Sequence, residues 1–159
     1  MLVEGLPPRQ FSALASPATE RFAWTSLLRH GRRPLGFMGR TLFDVSVRDP
    51  ALPVWSEVSV QEMEGNNLVA AIRHNLRGGD PLSRHYAECC EDIDSVLVFL
   101  DTHDPLRDLP AEALYAAAAG LEGLESHLAA TACAARLRQT WRQILQTCFG
   151  DRNTSGSLQ

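Results

Sequence analysis

The chain has 159 residues, 45% of them apolar and 21% charged, with a net charge of −4. That size and balance suit one folded unit with its own core and exclude a chain that is disordered throughout. All 15 basic residues are arginine, which excludes Schiff-base, P-loop and kinase-type lysine chemistry.

Residues 1–18 read as a flexible arm, because Pro7, Pro8 and Pro17 oppose regular structure. Glu4 stands where a signal peptide needs bases, and no apolar run approaches the ~20 residues that span a bilayer. The expected location is therefore the cytoplasm, with no membrane partner. Residues 20–30 fit a short helix and an irregular strand equally well, and residues 31–34 form a turn.

Residues 35–49 read as a strand, clearest from Thr41, where Phe43, Val45 and Val47 alternate with Asp44, Ser46 and Arg48. Residues 54–63 form a second strand, with Ser56, Val58 and Val60 opposite Trp55, Glu57 and Ser59. Glu64-Gly65-Asn66-Asn67 tolerates positive φ and predicts a hairpin into a third strand over 68–76. After the loop at 77–81, residues 83–90 fit a fourth strand better than a helix.

Asp92 then stands as an N-cap before Ile93, Val96, Leu97 and Leu100, which repeat at helical spacing. Pro110 opens a second, alanine-rich helix. Gly120 and Gly123 interrupt it, and a long amphipathic helix follows to a C-cap expected at Gly150. Residues 151–159 read as a flexible tail, leaving 19–150 as a single domain. The expected fold is α+β: three to four consecutive antiparallel strands within residues 35–90, then two to three helices packed on one face.

Charge is uneven along this frame. Residues 1–50 carry seven arginines against four acids, and residues 51–110 carry four against eleven. An acidic middle argues against a broad nucleic-acid face, so nucleic acid is not an expected partner. The basic stretch Arg29-His30-Gly31-Arg32-Arg33 reads as a solvated turn.

Four residues are candidates for a reactive or ligand site: His74, His85, Cys89 and Cys90. Imidazole and thiol groups are the usual ligands and nucleophiles. Adjacent cysteines on a strand point to opposite faces, however, so Cys89 and Cys90 read more simply as small apolar side chains. His103 beside Asp104 is a weaker general-base pair. No GxSxG, HExxH or GxGxxG motif is present, and no metal or cofactor is expected.

Trp55 shares a strand face with polar Glu57 and Ser59, which suits an interface or ligand contact. The long helix has more apolar positions than one small sheet covers, and Leu137, Trp141 and Phe149 are its candidate interface residues. These features favour a non-enzymatic protein-binding or adaptor module that engages a protein partner or a second copy as a homodimer. The alternative is a small enzyme or ligand-binding protein with a pocket at the sheet near Trp55 and His74, or near His85 and Cys89.

Overall fold

In a computed structural model of the protein, residues 12–16, 21–76, 83–115 and 120–158 are described. The alternating rhythm of the first half becomes an antiparallel sheet. Its strands are β1 (Ser12–Ser16), β2 (Ala23–Arg29), β3 (Arg32–Arg48), β4 (Val54–Met63), β5 (Leu68–Leu76) and β6 (Ser83–Cys90). The helices are α1 (Ile93–Thr102), α2 (Ala111–Tyr115) and α3 (Gly123–Leu158). The α+β class and the antiparallel sheet are as expected, but among the described residues the sheet has six strands instead of three to four.

The extra strands come from the N-terminal side. Residues 12–16 lie in the expected flexible arm, yet they pair with β3 from Ser12 opposite Arg48 to Ser16 opposite Asp44. The ambiguous segment 20–30 becomes β2, which pairs with the first half of β3 through a turn at Gly31, where φ is 72°. β3 begins at Arg32, earlier than its alternation shows, and serves both partners along one edge. Its other edge carries β4, then β5, then β6.

The expected hairpin is present, with Gly65 and Asn66 both at positive φ. It sets the β4–β5 register, placing Ser56 opposite His74 and Glu57 opposite Arg73. Asp92 caps α1 by accepting a 2.9 Å hydrogen bond from the Ser95 amide. The helix α3 does not stop at Gly150 but continues to Leu158. No proline follows to break it, and one glycine costs a helix only about 1 kcal/mol.

One face of the sheet packs against the helices. Val45, Val47, Val58, Val60, Ala70 and Ile72 meet Val96 and Leu100 of α1 and Trp141, Ile144 and Phe149 of α3. Trp141 is 4% exposed, and its indole N–H donates to the Leu100 carbonyl at 3.1 Å. A second cluster joins Leu52 and Val54 to Cys133 and Leu137 further along α3. The stripe of α3 read as a surplus is therefore used inside the molecule at Leu137, Trp141 and Phe149.

The other face is covered by the sheet itself. The hairpin of β2 and early β3 folds across it, so that Phe37, Leu27 and Leu35 pack on Val69 and Ala87. The His30 amide donates to the His85 carbonyl at 2.7 Å and ties β2 to β6. This curl turns a flat sheet into a nearly closed barrel with helices on its outer face. Trp24 lies on the outside of the hairpin and is 69% exposed. Among the described residues, no helix is long and apolar enough to cross a membrane.

Candidate functional site

Alternation on β3 to β6 sends Val45, Val58 and Ile72 to the helices and their polar neighbours to the inside of the curl. The result is a cavity of about 410 Å³, lined by Asp44, Ser46, Glu57, Ser59, Gln61, Ala71, Arg73 and His85, with Leu27 and Leu28 of β2 across from them. The size lies within the range of small-molecule pockets.

The two ends of this interior differ. One is filled by the Phe37, Val69 and Ala87 cluster. At the other, the Glu57 carboxylate accepts from Arg73 Nη2 at 2.6 Å, Arg73 Nε at 2.9 Å and Asn75 Nδ2 at 2.7 Å. The Ser83 hydroxyl donates to Asn75 Oδ1 at 3.0 Å and holds that amide in place. His85 is held below its usual pKa, first by burial and then by the Arg73 charge, against the pull of Glu57. It is therefore neutral at pH 7.

A second polar cluster sits on the opposite face of the sheet, between β4, β5 and the end of α1. Ser56 Oγ lies 2.7 Å from His74 Nδ1, and His74 Nε2 lies 2.8 Å from His103 Nε2. The imidazole planes are stacked, 13° apart, with Trp141 edge-on to both rings. Two proton arrangements satisfy this chain. Either His103 donates to His74 and His74 to Ser56, or Ser56 donates to His74 and His74 to His103. In both, one Nε2 must lack a proton, so the contact survives with one ring protonated but not with both. Burial is the larger cause of lowered basicity for each. It brings His74, 2% exposed, down to about 3 with the His103 charge adding to the effect. It brings His103 to about 4, with Arg107 adding and Asp104 and Asp108 opposing.

A serine hydroxyl against an imidazole is the pair used in nucleophilic catalysis. Here His74 is buried and Ser56 half-buried between sheet and helices, and the chain of contacts forms a polar joint between the two layers. His103 does not use Asp104 as a partner. That carboxylate accepts from Arg138 Nη2 at 3.0 Å and is lowered chiefly by that bond. Tyr86, next to both imidazoles, donates its hydroxyl to Asp108 Oδ2 at 2.8 Å.

The sequence candidates are distributed, not gathered. Trp55 pairs with Asn75 and lies on the inner face with Arg48 stacked 4.4 Å from its ring, while His74 faces the helices. These two do not share a pocket. His85 lines the cavity, whereas Cys89, on the same face of β6, is exposed at the far end with its thiol 3.6 Å from Met63 sulfur. Cys90 points the other way and is buried in the core. Among the described residues, no group of three or more His, Cys, Asp or Glu side chains converges as a metal ion requires.

Sequence reading missed Ser56, and it missed Asp44, Ser46 and Gln61 as cavity residues. Ser56 lies on the apolar half of its strand beside Val58 and Val60, whereas the signal for the last three was present as the polar half of each strand's alternation. What it lacked was any sign that β2 folds over that half. No family model, curated protein or solved structure matches this chain.

Proposed function

We propose that this chain is a non-enzymatic binding protein of the cytoplasm that takes a small polar ligand into the curl of its sheet. The observation that supports this is the covering of a polar strand face by the protein's own hairpin. An antiparallel sheet commonly leaves such a face to water. Here β2 covers it but leaves about 410 Å³ lined by hydroxyl, amide and charged groups. Convergent polar groups beside an apolar wall suit binding of a compact molecule. A panel of sugars, amines, carboxylates and nucleosides, read by heteronuclear NMR, tests it. Ligands should shift the amide signals of Ser46, Ser59 and Arg73 and leave those of Ile144 and Leu137 in place. A panel that shifts none of these signals, or shifts the α3 signals instead, argues the proposal down.

A protein-contact role has separate support at the start of α3. Leu124 is 71% exposed, with Leu121, Leu128 and Tyr115 also exposed nearby. This apolar group takes the place of Leu137, Trp141 and Phe149 as the surface for a second copy in a homodimer. Light scattering of the wild type and of the Leu124→Glu, Leu128→Glu variant tests it. A wild-type monomer at all concentrations ends that role.

A further inference from the structure

We infer that the cavity selects a small protonated amine that also carries hydroxyl groups, an amino-polyol, with Asp44 as the residue that holds its charge. This inference rests on the ligand-binding role proposed above and adds the chemistry of the ligand.

The charges in the cavity do not cancel. Glu57 is occupied by Arg73 and Asn75 through three hydrogen bonds. Asp44, by contrast, has no hydrogen bond or ion pair among the described residues. With the Glu57–Arg73 pair balanced, Asp44 leaves the groups that line the cavity with one net negative charge. An ammonium group beside a carboxylate satisfies it through a charge-assisted hydrogen bond.

The strand register supplies the rest. Asp44 stands opposite Ser59, and Ser46 stands opposite Glu57. Gln61, two residues along from Ser59 on the same face, is 9% exposed. It has no hydrogen-bond partner among the described residues, and no fully buried side-chain polar atom there is left unpaired. Its amide therefore opens onto the cavity, where it both donates and accepts. Ser46 and Ser59 are likewise without side-chain partners among the described residues. A carboxylate, two hydroxyls and an amide on adjacent strands are spaced by roughly 5 Å steps. That spacing suits an amine and hydroxyls set two or three carbons apart on a short carbon skeleton. Leu27 of β2 faces this polar floor, with Leu28 at the rim, and covers the carbon side of such a ligand.

Glucosamine, glucose and gluconate share one skeleton and differ in charge, so they separate the possibilities. Each is titrated at millimolar concentration into the wild type and into Asp44→Asn, Gln61→Leu and Arg73→Gln variants, with affinity read from NMR shifts of the Ser46 and Ser59 amides. Glucosamine should bind tightest. Asp44→Asn should weaken it by roughly tenfold, to the level of glucose, the gap between a charge-assisted and a neutral hydrogen bond. Gln61→Leu should weaken glucosamine and glucose alike. Equal binding of glucose and glucosamine to the wild type overturns the role of Asp44 while leaving a ligand-binding protein. Preference for gluconate that Arg73→Gln abolishes assigns the site to anions and overturns the inference. The absence of any shift with all three overturns the amino-polyol class, and the wider panel then decides the binding role. Asp44→Asn retains the size of the native side chain, and an unchanged amide spectrum confirms that the variant is folded.

Discussion

The buried imidazole pair makes stability depend on acid in a defined window. His74 and His103 have an ordinary value of 6.5 in the unfolded chain and about 3 and about 4 in the folded protein. As pH falls below 6.5, the unfolded chain takes up a proton on each ring and the folded protein does not. Stability is thus fully present above 6.5 and is lost progressively as pH falls toward the folded values. Each proton taken up only by the unfolded state costs about 1.4 kcal/mol per pH unit. Between pH 6.5 and about pH 4.5 two rings together remove roughly 4 kcal/mol, a large share of a typical domain's 5–15 kcal/mol. Asp104 is lowered too, but from 3.8, so its loss begins below this window. Urea unfolding at half-unit pH steps measures the slope, and the imidazole carbon-bound proton signals of His74 and His103 report the rings directly. Both signals should stay flat from neutral pH to about pH 5. Titration of either ring near 6.5, with a slope well under two protons, refutes the assignment of a neutral buried pair.

Three further outcomes follow from the same structure. Ser56→Ala removes the partner of His74 Nδ1 at 2.7 Å and should cost about 1–3 kcal/mol in thermal or urea unfolding. Asp92→Ala removes the cap on the Ser95 amide and should cost about 1 kcal/mol, while Asp92→Asn should cost much less. Iodoacetamide at neutral pH should alkylate Cys89 alone in the native protein, as read by mass spectrometry. Cys90, Cys133 and Cys148 are shielded, and burial raises their thiols, Cys148 to about 11. Rapid labelling of a second cysteine in the folded state contradicts that.

The parts of the fold written in local rhythm were legible. The hairpin of β4 and β5 follows from Gly65 and Asn66, and a turn centred on Gly65 pairs residues equidistant from it. Ser56 with His74 and Glu57 with Arg73 were available from that rule alone. The cap at Asp92 and the amphipathic spacing of α3 were equally plain. Long-range closure was not. The segment Ser12–Ser16 has small residues and prolines nearby, and it becomes a strand because β3 offers it a free edge. The fold-over depends on Gly39, where the Phe37 ring lies so close that any side chain would collide with it. It depends also on the register shift between Thr41 and Phe43. A glycine inside a strand pattern marks close approach without saying of what, so the cavity lay outside what spacing shows. The same holds for His103, whose sequence neighbour Asp104 suggested a partner that the backbone turns away to Arg138.

The seam between the β2–β3 hairpin and β6 is thin: among the described residues it carries one backbone bond, from His30 to His85, the packing of Leu27 and Phe37 on Ala87, and the surface pair of Arg32 and Glu88 at 3.3 Å. Exposed ion pairs of that kind contribute at most about 1 kcal/mol. The opposite side of the molecule is locked by continuous ladders and by α1 and α3. Breathing of the native protein should therefore be lopsided, with the hairpin peeling back from β6 while the backed strands stay paired. Amide hydrogens at His30 and along β2 should exchange with solvent far sooner than those of Val58, Val60 and Ile72.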